Sequence, residues 1–211
     1  LSLPPSAHMC PVSSGADAAA LAAIAHGRGL RIHVDGARVA NAIAAPGCSP
    51  ADLTWRAGVD ALSLGATKNG AMSAEAIVVF DESAAEELVY RTKRAGHVTS
   101  KMRFQSAQLI AYLTDDLWLR NATNANTAMS RLSAGLRDLG VEFVNRPDVN
   151  MLFVSIDDTV ADRLERAGVL FYGGNGQARL VTSWQTTDAD VDAALTAFAA
   201  DKAADKSGSD M

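Results

Sequence analysis

Cysteine is scarce in these 211 residues. The two present, Cys10 and Cys48, have neither CxxC spacing nor enough partners for a disulfide framework, so a stapled fold and a structural zinc site have no basis here. A reducing, cytoplasmic setting is expected. Long apolar runs are also lacking. The longest falls far short of the roughly 20 residues a membrane-spanning helix requires, and no membrane association is expected. Nor is there a basic excess. Net charge is −5, which argues against nucleic acid as a partner, since polyanions are met by a basic face. The opening LSLPPSAHMCPVSSG has no basic n-region and no apolar h-region, so it is no signal peptide. It starts at Leu1, and the chain is expected to be cut from something longer. The far end, AADKAADKSGSDM, is small, polar and aperiodic, and reads as a frayed or disordered tail. No internal repeat is present.

What is there is an ordinary globular composition, 48% hydrophobic and 20% charged, arranged in alternating elements. Residues 14–26 carry Leu21, Ile24 and many alanines at helical spacing, and Gly27 and Gly29 supply a stop. A strand at 30–34 ends at Asp35-Gly36. A second, at 60–64, runs into Gly65-Ala66-Thr67-Lys68-Asn69-Gly70, and a third covers 75–80. Between the first two lie helical patterns at 37–44 and from the N-cap Ser49, with Pro50 at its first position, to Gly58. This alternation predicts an α/β layer. Residues 82–140 read as almost wholly helical, with apolar stripes through Leu109, Leu113 and Leu117 and through Leu132, Leu136 and Leu139. Short strands at 141–144, 151–156, 169–172 and 179–184, a helix at 159–167 and a last helix at 188–202 behind the N-cap Thr187 predict a small α+β unit. The expected division is a large-domain portion at 1–100, linking helices at 101–140, a small domain at 141–205 and a tail at 206–211.

Two polar clusters, Asp35-Gly36-Ala37-Arg38 and Thr67-Lys68-Asn69-Gly70, fall just past the C-terminal ends of expected strands, where ligands gather in open α/β sheets. An enzyme using pyridoxal 5'-phosphate (PLP) needs a carboxylate that keeps the pyridine nitrogen protonated and a lysine that holds the cofactor covalently. Asp35 and Lys68 supply that pair if their strands are neighbours. The same two residues would equally serve as a turn aspartate and a solvated lysine. His33 points to the same side as Asp35, and is expected to be a packed strand histidine rather than a base. Cys48 and Trp184 are read as structural.

Residues 33–81, with HVDGAR followed by GATKNG, resemble the threonine-aldolase family's Asp-Gly-Ala-Arg block and its lysine block. The likeness, to the bacterial low-specificity L-threonine aldolases, continues through RTKRAGHVTSKMRFQSAQLIAYLTDDLWL and ARLVTSWQTT. It covers roughly residues 14 to 190, with three separated blocks in the family's order. The resemblance implies part of a PLP fold-type-I large domain, mostly parallel sheet with helices, followed by a small α+β domain. It implies that Lys68 is the cofactor lysine, with Thr67 beside it in the cofactor site. Asp35 would be the ring-nitrogen partner, and Arg38 a holder of the substrate carboxylate or the cofactor's O3′ side. Arg179 would be the clamp of the α-carboxylate, a task for which a planar guanidinium is suited. Without the resemblance, Arg179 would read as an edge-strand surface residue. Lys101 and Arg103 are further candidates, for the phosphate or a neighbouring subunit's site. No metal is implied.

The implied activity is reversible cleavage of a β-hydroxy-α-amino acid, such as L-threonine or L-allo-threonine, to glycine and an aldehyde, in a homo-oligomer (dimer or tetramer). Family members carry well over a hundred further residues on the N-terminal side, including a glycine-containing phosphate loop and a ring-stacking histidine. Activity is therefore expected to need such a segment. Tyr172-Gly173-Gly174-Asn175-Gly176 is richer in glycine than the family pattern. Another fold-type-I PLP enzyme, a β-eliminating lyase or an aminotransferase, and a non-catalytic fragment remain the alternatives.

Overall fold

The computed structural model describes residues 2–3, 15–45 and 49–206. Cys10, Cys48, Ser14 and the end of the expected tail lie outside them. The chain divides into two compact units, one up to Ala122 and one from Thr123. Among the described residues no helix is long and apolar enough to cross a membrane, and no cluster of His, Cys, Asp and Glu could hold a metal ion.

In the first unit the strands β1 (Ser2–Leu3), β2 (His33–Gly36), β3 (Ala61–Gly65) and β4 (Glu75–Val79) form one sheet in that order. The first three are parallel and β4 runs antiparallel along β3. Helix α1 (Gly15–His26) precedes β2, and α2 (Val39–Ala44) lies on the crossover from β2 to β3 that parallel pairing requires. Then follow α3 (Glu82–Arg94), α4 (Arg103–Leu113) and the start of α5 (Leu117–Asp138). Ala18, Ala22 and Ala25 bury a face of α1, and Ala22 and Ala25 pack with Ile32 and Val59. Gly58 keeps that contact close. It is left-handed, at φ 82°, and a Cβ there would meet the Cβ of Ala22 at 2.9 Å. Asp60 ties the same corner, since its Oδ2 lies 2.9 Å from His26 Nε2 and accepts the Ile32 N–H at 2.7 Å.

Those bonds explain why β2 begins at His33 and not at 30. The Ile32 N–H is taken by the Asp60 side chain, and its carbonyl accepts from the N–H groups of Asp60 and Ala61. The helix expected after Ser49 is a run of turns closed by one 3₁₀ turn, Trp55–Ala57. Ser49 does cap, accepting the Asp52 N–H at 3.2 Å. The Thr54 hydroxyl, however, donates to the Pro50 carbonyl at 2.7 Å, filling the place an α-helical Thr54 N–H would take, while that N–H bonds Ala51 instead.

The second unit packs most of α5 with α6 (Asp158–Arg166) and α7 (Asp188–Lys206) on an antiparallel sheet of β5 (Met151–Ser155), β6 (Tyr172–Gly174) and β7 (Gln177–Val181), in the order β5-β7-β6. Met129, Leu136, Leu152, Val154, Leu164 and Val191 are its fully buried centre. Asp157 caps α6 through the Val160 N–H, and Thr187 and Asp190 cap α7 by exchanging side-chain acceptors. The strand expected at 141–144 is a single bridge, Phe143 with Val154, because Asn145 Oδ1 takes the Phe153 N–H at 2.7 Å. Strands expected at 169–172 and 179–184 are displaced to β6 and β7. The cause is the two-residue turn Asn175-Gly176, both at positive φ (54° and 79°), the form an Asn-Gly hairpin adopts. Trp184 therefore falls beyond the strand, in a turn closed by Ser183 and Thr186. Helix α7 continues past 202, through alanines and lysines that favour helix, to Lys206, a residue expected in the tail.

Gly36 has no room for a side chain. A Cβ there would lie 2.3 Å from the Ser63 carbonyl oxygen and 2.6 Å from Leu62 Cδ1. Replacing Gly36 by Ala is expected to destabilise the protein by about 1–3 kcal/mol through overpacking. A lowered urea midpoint at unchanged m-value is the measurement, and an unchanged midpoint would contradict the packing described.

Candidate functional site

The two polar clusters meet at one end of the sheet. β2 and β3 are parallel neighbours, in register from His33 opposite Ala61 to Gly36 opposite Leu64, so the segments leaving them emerge at the same edge. They touch there, since a Cβ on Gly65 would lie 2.7 Å from the Ala37 Cα. Only glycine allows that approach. Asp35 is half-buried; its Oδ1 accepts the Ala37 N–H at 3.1 Å, and its other oxygen has no hydrogen bond among the described residues. Arg38, half-buried, stands at the N-cap position of α2. His33 lies inside the sheet, with Nε2 2.8 Å from Ser63 Oγ.

Lys68 is in the 3₁₀ turn Thr67–Asn69 that follows β3. Its side chain is exposed and makes no hydrogen bond or ion pair among the described residues. Thr67 serves the loop itself: its hydroxyl accepts the Ala74 N–H at 3.3 Å and its N–H donates to Glu75 Oε1. Asn69 is only 3% exposed. Its amide donates to Tyr112 Oη and to the Trp118 carbonyl, both at 2.8 Å. Its carbonyl accepts from Asn121 Nδ2 at 2.9 Å. Gln108 Oε1 accepts the N–H groups of Met72 and Ser73 at 3.0 Å each.

Sequence reasoning missed this frame. It assigned the inward side of α4 to Leu109 and Leu113, whereas Leu113 is 44% exposed and Tyr112 is buried. The available signal was Gln108 and Tyr112 themselves, a polar pair one helical turn apart. The other candidates are placed separately. Lys101, left-handed at φ 62°, and Arg103, whose guanidinium lies over the Phe104 ring at 5.3 Å, are exposed before and at the start of α4. Among the described residues neither bonds to the lysine loop. Arg179 belongs to the second unit, on the central strand β7 and not on an edge. Its guanidinium carbon is 4.6 Å from the centre of the Tyr172 ring, and its Nε is buried with no hydrogen-bond partner among the described residues.

Comparison with solved structures defines the class first. The chain superposes on a threonine aldolase from Leishmania major with a TM-score of 0.83 at 21% identity, covering 93% of this chain and 59% of that one. A tetra mutant of the Thermus thermophilus aspartate aminotransferase complexed with tryptophan gives 0.68 at 19% identity, covering 94% and 56%. The fold is that of PLP fold-type-I enzymes, the class expected from sequence. Residues 11–159 match the model of the beta-eliminating lyase family. Over 166 residues the chain is 44% identical to a low specificity L-threonine aldolase of Pseudomonas sp. (strain NCIMB 10558), covering 77% of this chain and 48% of the relative. The chain thus belongs to the beta-eliminating lyase family and spans about half the length of the curated relative it matches.

Burial pushes the Tyr112 phenol above its ordinary range; the Asn69 hydrogen bond opposes the shift, and the Glu75 charge adds to it. In the unfolded chain this phenol ionises near pH ~10. Above that pH the unfolded state has lost a proton that the native state keeps, so stability, full below the unfolded pKa, falls as pH rises through the folded one. Tyr112→Phe is expected to flatten the loss of stability above pH ~10, as read from urea unfolding at several alkaline pH values. An identical slope in the variant would contradict the burial of the hydroxyl.

Proposed function

We propose that the protein containing this chain is a PLP-dependent aldehyde-lyase that cleaves L-threonine or L-allo-threonine to glycine and an aldehyde. The observation that carries the reading is the close approach of the segments that follow β2 and β3, with Asp35 among the last paired residues of β2 and Lys68 in the turn after β3. Asp35 keeps one carboxylate oxygen unengaged and Lys68 its whole ammonium, among the described residues. The carboxylate fits as acceptor for the cofactor's ring N–H, and the lysine nitrogen fits as the partner of its aldehyde carbon. When bound, PLP supplies an electron sink for the bond broken between Cα and Cβ. Asp35 holds a proton on the ring nitrogen, which an anionic carboxylate does and a neutral amide does not. Lys68 would hold the cofactor covalently at its aldehyde carbon.

In the same reading Arg179 holds the α-carboxylate. Its buried Nε lacks an acceptor among the described residues, and an anion with two oxygens would satisfy it and a neighbouring N–H together. Arg38 assists at the carboxylate or at the O3′ side of the cofactor, Thr67 steadies the cofactor lysine, and Lys101 and Arg103 are candidates for phosphate contact. The protein works as a homo-oligomer, a dimer or tetramer, in the cytoplasm, on a small amino acid. β-Elimination is the second reading, favoured by the family model that matches residues 11–159.

Product analysis of threonine incubated with PLP and the protein separates the two. Glycine with acetaldehyde is expected, whereas keto acid with ammonia would replace the first reading by the second. Asp35→Asn should lower kcat roughly a hundredfold or more while PLP still binds; unchanged turnover would remove Asp35 from the ring nitrogen. Arg179→Lys should raise KM for the amino acid by about tenfold with kcat little affected. An equal rise for an analogue lacking the carboxylate would show that Arg179 holds something else.

A further inference from the structure

We infer that Asn69, Tyr112 and Gln108 are positioning residues for Lys68, a hydrogen-bonded frame that fixes the turn from which the lysine projects. The inference rests on reading Lys68 as the cofactor lysine. Two adjacent residues of one short turn have opposite surroundings, Lys68 exposed and Asn69 enclosed. The orientation of the Asn69 amide is determined by chemistry, because the Trp118 carbonyl can only accept, so the group facing it is the NH2. Its second N–H is spent on Tyr112. The backbone of Asn69 is held as well, by its N–H to Ala66 and its carbonyl from Asn121. Asn69 is thus held through side chain and backbone, while the neighbouring Lys68 side chain makes no hydrogen bond among the described residues.

Gln108 closes the far end of the loop. One oxygen accepts two successive N–H groups, those of Met72 and Ser73, just past Gly70, whose φ of 119° lets the chain reverse there. Gln108 and Tyr112 project from the same side of α4, so a single helix grips the loop at two points. A loop that only had to exist could leave these groups to water. Enclosing them restricts Lys68 to its own side-chain rotations, and attack at a carbon held elsewhere depends on such preorganisation.

The test uses the protein freed of cofactor, with two reagents applied to the wild type and to Asn69→Ala, Tyr112→Phe, Gln108→Leu and Gln108→Glu. Acetic anhydride reports only whether Lys68 is accessible. PLP with cyanoborohydride reports whether it is also correctly aimed. Peptide mass spectrometry follows both rates at Lys68, well below each variant's unfolding midpoint. Acetylation should stay within about twofold throughout, while pyridoxylation falls about tenfold in Asn69→Ala and Gln108→Leu and a few-fold in Tyr112→Phe. Gln108→Glu, which keeps an acceptor for both N–H groups, should react like the wild type. Unchanged pyridoxylation in the variants, or parallel loss of both reactions, would overturn the inference, the latter by showing a merely structural role. A wild type in which PLP selects no lysine would overturn the reading of Lys68 instead, and the two failures are thereby told apart.

Discussion

The backbone contact between the ends of β2 and β3 is the constraint on which the site depends. Gly36 lies against the Ser63 carbonyl and Gly65 against Ala37, and a side chain at either position would drive the two segments apart. The absence of two methyl groups therefore brings the Asp35 and Lys68 segments together. The parallel register from His33 to Gly36 then ensures that both segments leave the sheet in the same direction. Chemistry at such an edge needs no special loop architecture, only two strands that end together and carry the right residues just beyond.

That part of the molecule was legible because its signals are local. An apolar run ending in Asp-Gly, another ending in a Gly-rich lysine turn, and helical spacing between them give two strands and a crossover without any knowledge of contacts. Element ends were less legible, since they are decided by side chains that compete for backbone groups. Asp60 delays β2, Thr54 breaks the helix begun by Ser49, and Asn145 interrupts the strand at 141–144. The frame behind Lys68 was not legible, because Asn69 finds Tyr112 only across 43 positions of sequence, and apolar spacing on α4 singled out Leu113, which is exposed, and not Tyr112, which is buried. The hairpin at Asn175-Gly176 was different. Its dipeptide is a strong local turn signal, and the glycine richness of 172–176 belongs to that turn.

The second unit owes its stability to an apolar centre shared by α5, α6, α7 and the strands β5 and β7, and Arg179 is its candidate site residue. Arg179 sits across from Tyr172 on β6 and Phe153 on β5. The Tyr172 ring covers one face of the guanidinium, an interaction that stabilises the cation without using its N–H groups. A cation held by a π-face, its buried Nε without a partner among the described residues, is suited to an anionic ligand in a way that an ion-paired arginine is not.

The central claim is that Lys68 is the residue bound to the cofactor, and the most direct measurement is borohydride reduction of the PLP-saturated protein followed by peptide mapping. The account predicts one pyridoxyl group, on the peptide containing Thr67-Lys68-Asn69. A label on Lys93, Lys101 or any other lysine in place of Lys68, or no stable label at all, would contradict it.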